Sequence, residues 1–359
     1  TTTIAAGVTT STALLSTFGT TTSSATSDTT TNAAGTSSSP ETTSPLPSTT
    51  ASTTATTTTT TTTLAEHLVV GADIIMTDRL WITENTTWTS ADGIRALAVR
   101  VEVLPGISLT IEGSRNSSLV LSFVHVDASI FLHPGATLVV RNAAFYTPFR
   151  GWRHLDGVPY SERPPAITGV RSSGGASLVM ENVVCKGLRQ CVDITASTGD
   201  HVTITDSLFV DNSQALVVRG GSSRITRCVF FSNVQGAYPD CSGCHVDQCL
   251  FLQNNIGIDG SWIWGSFQVT RSTLAQNEQA VQEGRYASYN DMLFYKNDVA
   301  FNSRSALGNA TFLENRIGMK LDYVPYGALN RINFLGLENE YHIHYTGTSL
   351  FDMNVSLTF

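Results

Sequence analysis

From about residue 200 onward, apolar and polar positions recur in seven lines spaced about twenty-one residues apart. An anchor column reads Phe209, Phe230, Phe251, Leu274, Phe294, Phe312 and Phe334. Three positions later stand Asn212, Asn233, Asn254, Asn277, Asn297 and Asn315, then Leu337. Six after the anchor come Ala215, Gly236, Gly257, Ala280, Ala300 and Gly318, then Glu340. The next position is apolar again, from Leu216 and Ala237 to Met319 and Tyr341. Five before the anchor lies another apolar column, Ile204, Ile225, Val246, Val269, Tyr289, Leu307 and Leu329. A polar bend column separates the two: Asp206, Arg227, Gln248, Arg271, Asp291, Asn309 and Arg331. This period is too short for two packed helices, and no 3.6-residue apolar stripe runs through the lines. Short β-runs broken by polar bends at a fixed period predict a solenoid, one line per coil. Stacked coils bury a continuous core, pairing strands along the axis at about 4.8 Å per step. The recurring Asn is expected to take a left-handed bend and to hydrogen-bond its neighbours above and below. The small residue is expected to let the chain turn back without a clash.

The lines "ITDSLFVDN", "ITRCVFFSN" and "VDQCLFLQN" resemble the right-handed parallel β-helix superfamily, the pectin-lyase-like group. "TENTTWTSADG" followed by "VEVLPGISLTIEG" is similar to the entry turns of secreted β-helix proteins, and the second phrase returns as "LHPGATLVVRN" and "SGGASLVMEN". The resemblance spans roughly residues 81 to 345. It implies an all-β chain, a right-handed parallel β-helix of about ten coils preceded by an extended Thr-rich arm. Residues 64–80 are expected to form an N-terminal cap, 81–348 the helix, and 349–359 a C-terminal cap or pairing strand. The superfamily holds lyases, hydrolases, epimerases, adhesins and structural proteins, so the likeness implies fold more than activity.

Composition divides the chain. Residues 1–63 are almost wholly Thr, Ser and Ala, with Asp28 and Glu41 their only charges. Such a segment buries too little apolar area to offset its ordering entropy alone. Its Thr/Ser/Pro character reads as an O-glycosylated stalk, centred on the run Thr56, Thr57, Thr58, Thr59, Thr60, Thr61, Thr62 and Thr63. Extended at ~3.3 Å per residue it would reach about 200 Å, against roughly 50 Å for the stacked coils. That length lets it link neighbouring molecules, which leads to the expectation of self-association into a filament through the arm. The formal charge is −8 and no basic stripe exists, so nucleic acid is not an expected partner. No apolar run has the length of a membrane span. The chain opens at Thr1 without a basic leader, and any secretion signal is expected to have been removed.

Acceptor sequences for N-linked glycans stand at Asn85, Asn116, Asn309 and Asn354. Six cysteines allow fifteen pairings. Coil geometry favours Cys185 with Cys191 around one bend, and Cys241 with Cys244 within C-S-G-C. Cys228 and Cys249 share an inward column at disulfide distance, either bridged or left as thiols. Two irregular stretches offer contacts for a sugar or a partner: Trp152 and Arg153 in the long insertion 146–165, and Trp262 with Trp264 in "GSWIWGS". His342 and His344 are expected to share one strand face, without a third ligand to make a metal site. Asp193, Asp206, Asp211, Asp240, Asp247 and Asp259 occupy different columns and read as solvated bend residues rather than as a catalytic ladder. The sequence therefore leads to an extracellular or cell-surface structural glycoprotein without cofactor, metal or catalytic residues. A polysaccharide lyase or hydrolase, or a glycan-binding adhesin, is the alternative.

Overall fold

The structure, a computed structural model, describes residues 79–90, 96–114, 118–148, 166–197, 199, 201–261, 265–282, 286–321, 329–335, 341–345 and 355–358. The Thr-rich arm, cap residues 64–78, Asn116, Asn354, Trp152, Arg153, Trp262 and Trp264 lie outside the described residues.

The described chain is an all-β parallel solenoid of about ten coils, with no α-helix among the described residues. Each regular coil contributes one strand to each of three sheets. In one coil these are His201–Thr205, Leu208–Val210 and Gln214–Arg219, hereafter the first, second and third sheets. The third sheet has twelve strands, beginning at Leu80–Ile82 and ending at Tyr341–Tyr345. Every pairing runs parallel, one coil to the next; Ile204 lies beside Ile225, and Phe209 beside Phe230.

The apolar columns face inward. Ile204, Ile225, Val246, Val269 and Tyr289 are fully buried from the first sheet, as are Phe209, Phe230, Phe251 and Phe294 from the second. The anchor rings stack along the axis, with Phe209, Phe230 and Phe251 centroids 4.9 and 4.6 Å apart and nearly parallel. The small-residue column closes over these rings. A Cβ at Gly257 would stand 2.6 Å from the Ala280 carbonyl oxygen, and one at Gly236 would meet the Gly257 oxygen at 2.5 Å.

Two bends per coil are made by single residues. The polar column behaves as a left-handed bend, with φ between 49° and 57° from Asn142 through Arg331. Its amides stay paired: Asp206 N–H donates to Thr226 O, and Arg227 N–H to Asp247 O. At the second bend the Asn is not the left-handed residue, contrary to expectation. That role falls to the residue before it: Asp211, Ser232, Gln253, Gln276, Lys296 and Glu314, at φ of 52° to 60°. The bend at this preceding residue swings the Asn side chain inside, where it is fully buried. A non-glycine residue in this conformation costs about 1–2 kcal/mol. Gln253→Gly is therefore expected to be neutral or stabilising by up to about 1 kcal/mol, and Gln253→Val destabilising by about 1–2 kcal/mol. Paired urea titrations check the sign; a stabilising valine would contradict the bend geometry.

The Asn side chains form an axial ladder. Asn212 Nδ2 donates to Asn233 Oδ1 at 3.0 Å, and its backbone N–H donates to the same oxygen. The pattern repeats through Asn254, Asn277, Asn297 and Asn315. Each Nδ2 also donates to a backbone carbonyl of the preceding coil, as Asn254 does to Phe230 O at 2.9 Å. Leu188 N–H caps the ladder by donating to Asn212 Oδ1.

Across the long insertion, Asn142 and Asn182 are neighbours one coil apart, joined at 2.9 Å. The repeated Pro-Gly phrases align as predicted, Ser108–Glu112 beside Thr137–Tyr146 beside Ser177–Lys186. The last coil departs from the predicted columns by two residues. Ile343, not Tyr341, lies beside Met319, and Tyr341 pairs with Ile317 and is half exposed. Val355–Thr358 pairs with Leu329–Leu335 as a further parallel strand at the C-terminal end.

Candidate functional site

Two of the three anticipated cysteine pairs are disulfides, Cys185–Cys191 and Cys241–Cys244. Cys185 lies beside Phe209 and so replaces an anchor ring, while Cys191 takes the small-residue position before Val192. The bridge spans the two columns that an aromatic ring and a glycine or alanine fill in other coils. Cys228 and Cys249 remain thiols and are buried. Parallel strands point both side chains the same way, toward carbonyls: Cys228 Sγ bonds Ile204 O, and Cys249 Sγ bonds Ile225 O. Burial first, then the Cys228 thiol, pushes the Cys249 thiol well up from its ordinary range. Both thiols are expected to resist a maleimide in the native protein and to react once urea unfolds it. Rapid native labelling would contradict their placement.

Among the sequons, Asn85 and Asn309 are described, and both are exposed. Asn85 Oδ1 accepts from Ser108 N–H at 2.9 Å. Asn309 Nδ2 donates to Asp291 Oδ1. Asn309 and Thr311, the two recognition residues of its sequon, line one shallow depression together with Arg271 and Asp291.

The acids divide differently from expectation. Asp206 is an exposed bend residue bound by Arg227 at 2.7 and 2.6 Å. Asp247 and Asp259 are buried instead. Asp247 accepts from Thr270 Oγ1 at 2.7 Å and from Arg271 Nε at 2.8 Å, with Arg271 Nη2 on its other oxygen. The Arg271 hydrogen bond is the main cause holding this carboxyl below its ordinary value, so the contact is present at neutral pH and is lost on acidification. Asp259 accepts from Gln235, at the end of a side-chain chain from Gln190 through Gln214. His342 and His344 do not share a face. His342 packs on the core ring of Phe334, whereas His344 is exposed beside Tyr341. Both residues at the corner of a third-sheet strand turn inward, which breaks simple alternation. No cluster of three metal-ligating side chains occurs among the described residues.

The densest polar cluster lies on the outer face of the third sheet, at its N-terminal end. Register places Trp81, Glu102, Phe131 and Arg171 side by side on successive strands. The Glu102 side chain is only 1% exposed. Its carboxylate accepts from Arg79 Nη1 at 3.2 Å and faces His133 Nε2 at 2.8 Å. Arg100 Nε stands 2.9 Å from the same carboxylate, an ion pair outside hydrogen-bond geometry. Arg100 also lies 4.1 Å above the Phe131 ring, with Arg171 5.7 Å from it. Burial depresses the Arg100 value from its ordinary range, although the guanidinium stays charged. Trp81 is 48% exposed and stacks on His133. Two guanidiniums on the Glu102 carboxylate and a third, Arg171, beside the Phe131 ring outnumber the nearby carboxylates of Glu102 and Asp127 and leave surplus positive charge near an open indole, an arrangement able to hold an anionic group against a flat ring face. Sequence reading missed this cluster. The alternation in "RVEV" was its local signal, but Glu102 and His133 meet only because the intervening residues form one coil.

Comparison with family models, curated proteins and solved structures gave no match.

Proposed function

We propose that this chain is an extracellular, non-enzymatic structural glycoprotein. Its solenoid, of the right-handed pectin-lyase-like type, is the rigid body of a filament or surface appendage, and the Thr-rich arm links neighbouring copies. The observation that carries this reading is axial continuity. One buried Asn ladder runs unbroken from Asn212 to Asn315, beside stacked anchor rings. Such a ladder resists bending because each coil is bonded through side chains as well as backbone to the next. The two disulfides favour an oxidising compartment. Exposed Asn85 and Asn309 favour glycan attachment there. Electron microscopy of the glycosylated full chain tests the proposal. Elongated assemblies are expected, and single particles at every concentration would reject it.

A second reading, a glycan-binding adhesin, is favoured by the Trp81 and arginine platform around Glu102. It predicts glycan-array binding that Trp81→Ala abolishes. Array signal unchanged by Trp81→Ala would count against this site.

A further inference from the structure

Over its central coils the second sheet is apolar on both faces. In Leu208–Val210, Val229–Phe231 and Leu250–Leu252 the central Phe is fully buried and both flanking residues point outward, half-buried. Register sets Leu208, Val229 and Leu250 in one outer row, and Val210, Phe231 and Leu252 in the next. The first row continues through Val184 and Ala144 to Val120 in one direction and through Thr273, Leu293 and Thr311 to Asn333 in the other; the second continues through Lys186 and Tyr146 to Ser122, and through Ala275, Tyr295 and Leu313 to Leu335. Val120 is 44% exposed, Val184 38% and Leu335 49%. Lys186 is the one charged residue in these two rows among the described residues.

The other outer faces differ. At equivalent outward positions the first sheet carries Thr203, Arg224, His245 and Gln268, and the third is mixed, running Gln190, Gln214, Gln235, Ile256, Gln279, Val299 and Ile317. Outward apolar residues are therefore most continuous on the second sheet, from Leu208 to Leu252 in both rows. A parallel sheet that is apolar on both sides is one covered on both sides. Monomers seldom leave so long an apolar strip in water.

We infer that this outer face is an interface between two copies of the chain, packed sheet against sheet. This rests on the self-associating reading and gives it a surface. Three observations select a second copy as the occupant. The strip repeats at the coil spacing of about 4.8 Å, so a second copy presents the same spacing and the same ridges. Six of the flanking charges are neutralised within each chain, Asp206 with Arg227 and Asp247 with Arg271 on one edge, Lys296 with Glu314 on the other, and Asp211, Asp291 and Arg331 in the same bends sum to only one negative charge. Like copies can therefore approach there although the chain carries −8 overall. Two outward residues on each of ten coils, with the bend residues beside them, match the twenty to thirty residues per partner, about 800 Å² each, of a standard interface.

Sedimentation velocity on the full chain tests this, with Val229→Lys and Leu250→Glu in the strip and Thr203→Lys on the first sheet as control. The wild type and Thr203→Lys are expected to dimerise. Each strip variant is expected to weaken dimerisation at least 100-fold, with a melting temperature equal to that of the wild type measured at concentrations where the wild type is monomeric. Leu250→Ser serves if a charged variant fails to fold. Assembly that persists unchanged in the strip variants would overturn this interface and leave the structural reading standing. A wild type that stays monomeric at all concentrations would overturn both. Strip amides protected from hydrogen exchange in such a monomer would show that the chain covers the strip itself.

Discussion

Asn254→Leu is expected to lower the free energy of unfolding by about 3–6 kcal/mol. Leucine has the same branched heavy-atom skeleton as Asn and is no smaller, so the effect is one of lost hydrogen bonds rather than of a cavity. Three buried groups lose their partners: the Asn233 backbone N–H, one Asn233 Nδ2 proton and the Phe230 carbonyl. Each unsatisfied buried group costs about 1–3 kcal/mol. The site cannot be rehydrated, because Asn254 is fully buried. Gln253→Asn, one residue away in the left-handed bend, keeps its conformation and is expected to change stability by less than about 0.5 kcal/mol. Urea titration of both variants makes the comparison. A shift of under 1 kcal/mol for Asn254→Leu would mean that the ladder contributes little to the fold.

Phe230→Ala should cost about 3–5 kcal/mol, the range for deleting a buried ring. Its ring is sandwiched between Phe209 and Phe251, so the void opens on both sides and neither neighbour can relax into it without leaving its own coil. Phe230→Leu should be much milder, near 1–1.5 kcal/mol, because Leu274 already fills this column without disrupting register. Urea or thermal unfolding reads the two side by side. Equal losses would show that ring stacking, not filled volume, is what the column requires.

These two variants probe different halves of one design. The rings supply apolar burial along the axis, and the ladder lets the chain turn sharply beside them without stranding polar atoms. The small-residue column joins the two, since carbonyls of the next coil leave no room for a Cβ at Gly236 or Gly257. Where the chain gives up the anchor ring, at Cys185, a disulfide to the small-residue position replaces it.

Columns of like residues made the parallel solenoid, its inward faces, its bends and the two short-range disulfides legible in the chain alone. A period near twenty-one repeats each contact in every coil, so one local rule written seven times overwhelms chance. The last coil broke that rule because two more residues separate Phe334 from Ile343 than separate Phe312 from Met319, and this shift moved Tyr341 from the predicted core to the surface. Other features needed the stacked structure. Which residue of each Asp-Asn or Gln-Asn pair takes the left-handed bend depends on which side chain the ladder buries. Asp247 and Asp259 looked like surface acids until neighbouring coils closed over them. Glu102, His133 and Arg171 stand 31 and 69 residues apart in the chain from first to second and first to third, yet lie together on one face. Periodicity assigns each residue to a column, but only the stacked coils bring different columns of successive lines within reach of one another. Electrostatics and surface chemistry are sums over those neighbours. That is why the body of this protein could be read from its sequence, while its clusters and exposed strip emerged only from the folded coil.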